Sequence, residues 1–99
     1  MLIIAQENQE TSGRFVERDG QTEAGEMTYS IANEGKLWIV DHTGVLEAYK
    51  GQRIGTQLFR ALVAQARLDG IQVLPLCPFT RAQFERHPED RDVLRHGSL

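Results

Sequence analysis

The first half of the chain alternates apolar and polar residues in short runs that are separated by turn signals. Residues 14–31 alternate in this way on both sides of Asp19-Gly20, a dipeptide that is typical of a hairpin turn. A second turn is predicted at residues 33–35, and residues 36–46 then form a nearly continuous apolar run. We therefore expect an antiparallel meander of about four strands, preceded by about thirteen residues.

The last strand of this meander presents two faces. Because side chains alternate along a strand, Trp38, Val40 and His42 are predicted to share one face. This pattern places His42 beside the core.

The period changes to that of a helix in residues 52–69, and Gly70 ends the pattern as a C-terminal cap. Apolar residues recur there at spacings of three and four, at Ile54, Leu58, Ala61, Leu62 and Ala66. Residues 71–76 then form a short apolar strand, which is expected to lie parallel to the preceding strand because a crossover helix joins the two.

Thr80 and Gln83 fit the T-x-x-Q capping box, which predicts a short last helix through residues 84–86. Together these elements predict a single α+β domain over residues 1–99, with an antiparallel meander, one β-α-β unit and a short C-terminal helix.

The net charge of −3 conceals two halves of opposite sign. Residues 1–49 carry nine acidic and three basic residues, whereas residues 50–99 carry eight basic and five acidic residues. The negative total argues against non-specific binding of nucleic acid, and no apolar run is long enough for a membrane span or a secretory signal. We expect a cytoplasmic, soluble protein with a local positive field near residue 50.

Cys77 is the only cysteine, so no intrachain disulfide can form. No spacing of histidine or carboxylate residues predicts a metal site. A lone cysteine at a strand end is commonly a small core residue, and it can also be a reactive thiol.

The stretch AYKGQRIGTQL, residues 48–58, sets Gly51 and Gly55 with Lys50 and Arg53 at the start of the predicted helix. The free N–H groups and the dipole of a helix N-terminus attract anions, and glycine lets the backbone approach them closely. The same composition also serves a tight turn with no ligand. The spacing fits neither a P-loop nor a Rossmann fingerprint.

This turn resembles the acetyl-CoA-binding signature of the GNAT acetyltransferase superfamily, [QR]-x-x-G-x-[GA]. The longer stretches DHTGVLEAYKGQRIGTQL and VLPLCPFTRAQFERHPE are similar to small, single-domain GNAT-like proteins, which carry H-T-x-V before the pyrophosphate loop and L-C-P-[FY] after the next strand. The resemblance covers roughly residues 14–94. It implies a minimal GNAT fold with acetyl-CoA or coenzyme A as the cofactor.

The resemblance places Lys50 at the first position of the signature, Gly55 at the last, and Arg53 where a glycine is usual. An arginine there either adds a charge contact to the pyrophosphate or obstructs the approach of the backbone. The strand before the loop is implied to offer its free amides to the pantetheine arm and the thioester oxygen. The implied cofactor-binding residues are Val45, Leu46, Lys50, Gly51, Gln52, Arg53, Ile54, Gly55 and Thr56.

Cys77 and His42 are the candidates for chemistry. Many GNAT enzymes place a tyrosine acid in the helix after the last core strand, and the matching position here is Phe84. Cys77 follows the strand that is expected to run beside the one ending near Val45, where the resemblance implies that the acetyl group arrives. Its thiol therefore either protonates the leaving sulfur, accepts the acetyl group or only packs in the core. His42 is the candidate base, and the alternative is a histidine hydrogen-bonded beneath the sheet. Glu47 is a second candidate base, acting directly or through water, and the alternative is a solvated carboxylate beside the loop. His87 and His96 are expected at the surface.

The resemblance implies a small acetyltransferase that moves acetyl from acetyl-CoA to an amine of an unidentified acceptor, with a protein as one candidate. Because about thirteen residues are expected before the meander, we expect the extra N-terminal helices of fuller members to be absent. We therefore expect a shallow acceptor surface or one completed by a second copy, in a monomer or homodimer. The alternative is a non-catalytic acyl-CoA-binding or sensing module, and a weaker one is an interaction domain without a ligand.

Overall fold

The computed structural model describes residues 1–95, which form a five-stranded sheet whose spatial order follows the chain. The strands are β1 (Leu2–Asn8), β2 (Ser12–Asp19), β3 (Thr22–Ala32), β4 (Leu37–Val45) and β5 (Gln72–Pro75), and the helices are α1 (Ile54–Asp69) and α2 (Pro78–Arg86). Strands β1 to β4 run antiparallel, and β5 is parallel to β4. The predicted α+β class and the order of meander, helix, strand and helix are confirmed. His96 lies outside the described residues, and none of the described helices is long and apolar enough to span a membrane.

The sheet begins earlier in the chain than predicted. β1 pairs with β2 over its full length, from Leu2 opposite Asp19 to Asn8 opposite Gly13. The expectation that about thirteen residues precede the meander is therefore wrong. β1 is an edge strand with a mostly exposed second half, so it lacks the regular alternation that marks a half-buried strand.

Both helices pack against the same face of the sheet, which we call the inner face. Gly25 of β3 lets α1 approach closely, since a Cβ at this position would lie 2.7 Å from Ile54 Cγ2. Phe84 of α2 meets the ring of Phe59 of α1 edge-on, with centroids 4.9 Å apart. The core also holds an aromatic cluster on the sheet, formed by Phe15, Tyr29 and Trp38. The opposite face, which we call the outer face, is covered by neither of these helices.

A β-bulge in β4 changes which side chains face the core. Tyr29 of β3 lies opposite Val40 of β4. Its neighbour Thr28 lies opposite His42, so Asp41 is the extra residue of the bulge. One extra residue inverts the alternation, and His42 therefore lies exposed on the outer face whereas Val40 is buried. The prediction that His42 shares a face with Val40 is wrong.

Neither helix begins at the predicted residue. α1 begins at Ile54 instead of residue 52, because Arg53 has a left-handed φ of 64° that does not belong to a right-handed helix. α2 begins at Pro78, whose fixed φ suits the first helical position, and Cys77 is its N-cap. The predicted capping box at residues 80–83 therefore lies inside the helix. As a result, Cys77 occupies the N-terminus of a helix.

One carboxyl group is buried on the inner face. Glu17 is only 2% exposed, and its Oε1 has no hydrogen-bond partner among the described residues. Burial raises the pKa of this carboxyl, since the charged form is costly away from water. The protonated form is thereby favoured, which reduces the cost of placing Glu17 beside the core.

Candidate functional site

β4 and β5 separate after Val40. Residues 37–40 pair with residues 72–75, and the rest of β4 has no strand partner on this side within residues 1–95. The chain then leaves β5, and the amides of Leu76 and Cys77 both donate to the Val40 carbonyl, at 2.9 and 3.0 Å. The result is an opening between the second half of β4 and the start of α2, which we call the β4–β5 gap.

One end of this gap meets the N-terminus of α1. The amides of Arg53, Ile54, Gly55 and Thr56 have no acceptor in the part of the chain that the structure describes, and no side chain caps the helix. A helix N-terminus of this kind carries roughly half a positive charge. The geometry therefore provides the backbone donors that an anion requires.

A cavity of about 170 Å³ adjoins these amides. All of the predicted cofactor-binding residues line it except Leu46 and Gln52. Phe79 of α2 also lines the cavity and lies against Gly55, where a Cβ would be 2.6 Å from the phenyl ring. Glycine at residue 55 thus allows the start of α2 to lie against the start of α1.

The two cations of the turn have different surroundings. Lys50 Nζ lies 3.4 Å from Glu47 Oε1, and both side chains are exposed, so this pair contributes little to stability. Arg53 makes no ion pair within residues 1–95, which leaves its guanidinium available to a ligand. Its left-handed backbone costs roughly 1–2 kcal/mol in most residues other than glycine, so a glycine, as in the resembling signature, would fit this conformation without that cost.

The end of β4 offers the Val45 amide to the gap. Leu46 N–H donates to the Ala24 carbonyl of β3 at 2.8 Å, and the Leu46 carbonyl accepts the Tyr49 amide at 2.9 Å. The prediction that Leu46 has a free amide is therefore wrong. Because successive amides of a strand point in opposite directions, the Val45 amide points away from β3 and toward the gap.

The other end of the gap holds Cys77, which is 5% exposed. Its Sγ lies 3.4 Å from Thr43 Oγ1, just beyond the bulge of β4. Burial raises the pKa of the thiol, but hydrogen bonding to the Thr43 hydroxyl and to the first turn of α2, at Thr80 and Phe79, outweighs burial and lowers the pKa below its ordinary value. The helix N-terminus and the lowered pKa are two features that reactive thiols share, whereas the burial of Cys77 is typical of a structural cysteine.

Thr43 and Thr80 were not singled out from the sequence. Thr43 belongs to the H-T-x-V motif, whose histidine is the candidate base predicted from the sequence, and the bulge places this threonine beside the thiol. The sequence predicts Thr80 as a helix cap, whereas its buried hydroxyl lies one turn after Cys77 and favours the thiolate. The spacing of three residues between Cys77 and Thr80 was the available signal, since such residues are neighbours on a helix.

The structure does not bring His42 and Cys77 to the same side of the sheet. The His42 ring lies over Gly44 on the outer face, where a Cβ would be 3.0 Å from Nε2. The alternative of a histidine beneath the sheet is also wrong, because the residue is exposed. His87, expected at the surface, is partly buried, and its Nδ1 lies 3.3 Å from Glu89 Oε2.

No tyrosine hydroxyl within residues 1–95 is placed to protonate a leaving sulfur. Phe84 is buried against Phe59 at the position where the resemblance implies a tyrosine. Tyr29 is in the core, and the Tyr49 hydroxyl donates to Asp19 Oδ2 at 2.8 Å. Any proton transfer in the gap therefore depends on groups other than a phenol.

A family model agrees with this geometry. The family described as GCN5-related N-acetyl-transferase matches residues 14–93. No curated protein matches the sequence.

Solved structures share the fold at low sequence identity. A GCN5-like protein from Staphylococcus aureus is 24% identical over 95% of this chain and 90% of its own, with a TM-score of 0.68. Ribosomal-protein-alanine N-acetyltransferase from Brucella melitensis is 17% identical over 92% of this chain and 67% of its own, with a TM-score of 0.63. AAC(6')-Iy in complex with a CoA-containing bisubstrate analogue is 13% identical over 92% of this chain and 69% of its own, with a TM-score of 0.56. At such identities the likeness supports the fold alone.

Proposed function

Because the chain belongs to the GCN5-related N-acetyltransferase family, we propose that it binds acetyl-CoA in the β4–β5 gap and transfers the acetyl group to an amine. The observation that carries this proposal is the difference between the two ends of the gap, with unpartnered amides at one end and Cys77 at the other. Acetyl-CoA has the matching order of groups, a diphosphate and a thioester joined by an extended arm. An extended arm can pair with a free strand edge through backbone hydrogen bonds.

In this proposal the diphosphate lies at the start of α1. The amides of Ile54, Gly55 and Thr56 donate to it, and the side chains of Lys50 and Arg53 add positive charge. Each charge-assisted hydrogen bond contributes roughly 1.5–3 kcal/mol, so three or four of them are sufficient for micromolar affinity. The Val45 amide is then the backbone donor for the pantetheine arm.

The thiol of Cys77 is proposed to carry the acetyl group between the two substrates. The Cys77 thiolate attacks the thioester carbonyl, the carbon–sulfur bond of acetyl-CoA breaks, and coenzyme A leaves as a thiolate that takes a proton from water. An amine then attacks the acetylated cysteine, loses a proton, and releases the Cys77 thiolate again. The hydroxyls of Thr43 and Thr80 support the first step because they favour the thiolate.

Calorimetry with acetyl-CoA and mass spectrometry of the intact protein test the two parts of this proposal. We expect micromolar binding and one added acetyl group on the peptide that contains Cys77, and no such adduct in Cys77→Ala. A simple acetyl thioester without the nucleotide should acetylate Cys77 more slowly, since it lacks the diphosphate. Absence of binding at millimolar acetyl-CoA would overturn the proposed function.

A non-catalytic acyl-CoA-binding or sensing module is the second candidate. It is favoured by Phe84, which occupies the position of the implied acid and packs in the core. Binding of acetyl-CoA with no acetyl group on Cys77 or on an added amine would support this module over the transferase. For both candidates we propose a cytoplasmic protein, either monomeric or homodimeric.

A further inference from the structure

Tyr49 lies at the beginning of the turn that joins β4 to α1. The residues that follow it, 50–53, are exposed, and both Gly51 and Arg53 have left-handed φ angles, of 90° and 64°. A backbone hydrogen bond within the turn, from the Gln52 amide to the Tyr49 carbonyl, is long at 3.2 Å. A segment with few buried contacts and exposed hydrogen bonds opens easily unless another part of the molecule holds it.

The side chain of Tyr49 connects this turn to the sheet. Its ring is partly buried and packs against the core, and its hydroxyl donates a hydrogen bond to Asp19 Oδ2 at 2.8 Å. Asp19 is the last residue of β2, 30 positions away in the chain. This bond raises the pKa of the phenol, so the hydroxyl remains a donor at neutral pH. Because the acceptor is a carboxylate, the bond is charge-assisted and stronger than one between neutral groups.

Tyr49 and Asp19 differ in their relation to the cofactor cavity. Tyr49 lines the cavity together with Lys50 and Arg53, whereas the described residues that line it do not include Asp19. The other carboxylate oxygen of Asp19 lies 3.0 Å from the Met1 ammonium, so the charge of this carboxylate is balanced. Any effect of Asp19 on a ligand in the cavity is therefore expected to pass through Tyr49.

We propose that the hydrogen bond between Tyr49 and Asp19 anchors the turn in the conformation that binds the diphosphate, so that Asp19 is a positioning residue for acetyl-CoA. This inference rests on the proposed function. The diphosphate needs the amides at the start of α1 and the two cations of the turn at the same time. A turn that is ordered in advance loses less conformational entropy on binding, and the apparent dissociation constant rises as the ordered fraction falls.

Tyr49→Phe tests the anchor because it removes the hydroxyl and keeps the ring. Calorimetry should show acetyl-CoA binding weakened by about three- to tenfold, which is within what one charge-assisted hydrogen bond contributes. The rate of Cys77 acetylation at saturating acetyl-CoA should stay the same. Tyr29→Phe is the matched control, since it removes a hydroxyl that is hydrogen-bonded to Asn8 and Gln6 of β1, and it should leave the affinity unchanged. Wild-type affinity in Tyr49→Phe, or an equal loss in both variants, would overturn the anchor.

Asp19→Ala tests whether the effect depends on the carboxylate that accepts this bond. It should weaken binding by about the same factor as Tyr49→Phe, and the double variant should bind no more weakly than either single variant, because both substitutions remove the same bond. Loss of a negative charge would by itself favour an anionic ligand, so weaker binding would not be a direct effect of charge. Losses that multiply in the double variant, or binding by Asp19→Ala as tight as that of the wild type, would overturn the proposal.

A measurement without ligand separates the anchor from the proposed function. In the free protein, the heteronuclear NOE values of the amides of residues 50–53 should fall in Tyr49→Phe and stay unchanged in Tyr29→Phe. Equal values in Tyr49→Phe and the wild type would overturn the anchor, whether or not acetyl-CoA binds. A wild type that fails to bind acetyl-CoA, while the NOE values fall as expected, would instead overturn the proposed function and not the anchor.

Discussion

The two ends of the β4–β5 gap are built in different ways. At the start of α1 the proposed binding groups are backbone amides of consecutive residues, whose positions follow from the helix itself. At the bulge the proposed reacting groups, Cys77 and Thr43, are 34 positions apart in the chain and meet only when α2 docks beside β4. The first end needs local geometry, and the second needs the correct register of sheet and helix. We therefore expect cofactor affinity and acetyl transfer to respond to different substitutions.

Removal of the thiol should have the largest effect. Cys77→Ala is expected to lower acetyl transfer to an added amine by about a hundredfold or more, because the chain has no other cysteine to carry the acetyl group. The affinity for acetyl-CoA should change by less than about twofold, since the proposed diphosphate site lies at the other end of the gap. Mass spectrometry of the product and calorimetry measure the two quantities. A transfer rate equal to that of the wild type would show that Cys77 only packs.

Reversal of charge at Arg53 should weaken acetyl-CoA binding and leave the acetylation step unchanged. Arg53→Glu is expected to weaken acetyl-CoA binding by about ten- to a hundredfold, because a charge-assisted contact is replaced by repulsion. The rate of Cys77 acetylation at saturating acetyl-CoA should stay the same. Arg60→Glu makes the same charge change on an exposed residue further along α1 and should have a much smaller effect. Equal losses of affinity in the two variants would contradict a diphosphate site at the start of α1.

The pH dependence of Cys77 reactivity should depend on Thr43. The lowered pKa means that the thiolate, and with it the rate of alkylation by iodoacetamide, rises with pH through a midpoint below that of an ordinary cysteine. Thr43→Val removes a hydrogen bond that favours the thiolate, so the midpoint should move to higher pH. Thr28→Val, a matched change on the outer face, should leave the midpoint in place. An unchanged midpoint in Thr43→Val would show that the hydroxyl does not act on the thiol.

The start of α1 could be predicted from one short stretch because its features are local. Gly51, Gly55 and the two cations lie within six positions of one another, and the change of hydrophobic period marks the helix. The exact first residue of α1 could not be predicted. Arginine rarely adopts the left-handed conformation, so the sequence gives no sign that Arg53 lies outside the helix.

The bulge end could not be predicted in the same way. An extra residue in β4 becomes apparent only when β4 is aligned with β3, and without it the alternation rule places His42 on the core face with Val40. At α2, Pro78 was a valid start signal, but the T-x-x-Q pattern two residues later competed with it. The role of Cys77 as an N-cap depends on that choice, so its environment became clear only in the structure.

The smallest expected effect concerns the backbone conformation of Arg53 at the start of α1. Arg53→Gly should raise the free energy of unfolding by about 1 kcal/mol, because glycine adopts a φ of 64° without the steric cost of a side chain. Arg60→Gly, the same change inside α1, should lower it by about 1 kcal/mol, as glycine does in helix interiors. Urea denaturation measures both, and a loss of stability in Arg53→Gly would contradict the strained turn. If the arginine side chain contacts the diphosphate, the stabilised variant should nevertheless bind acetyl-CoA more weakly, whereas tighter binding would show that the side chain obstructs the approach of the backbone.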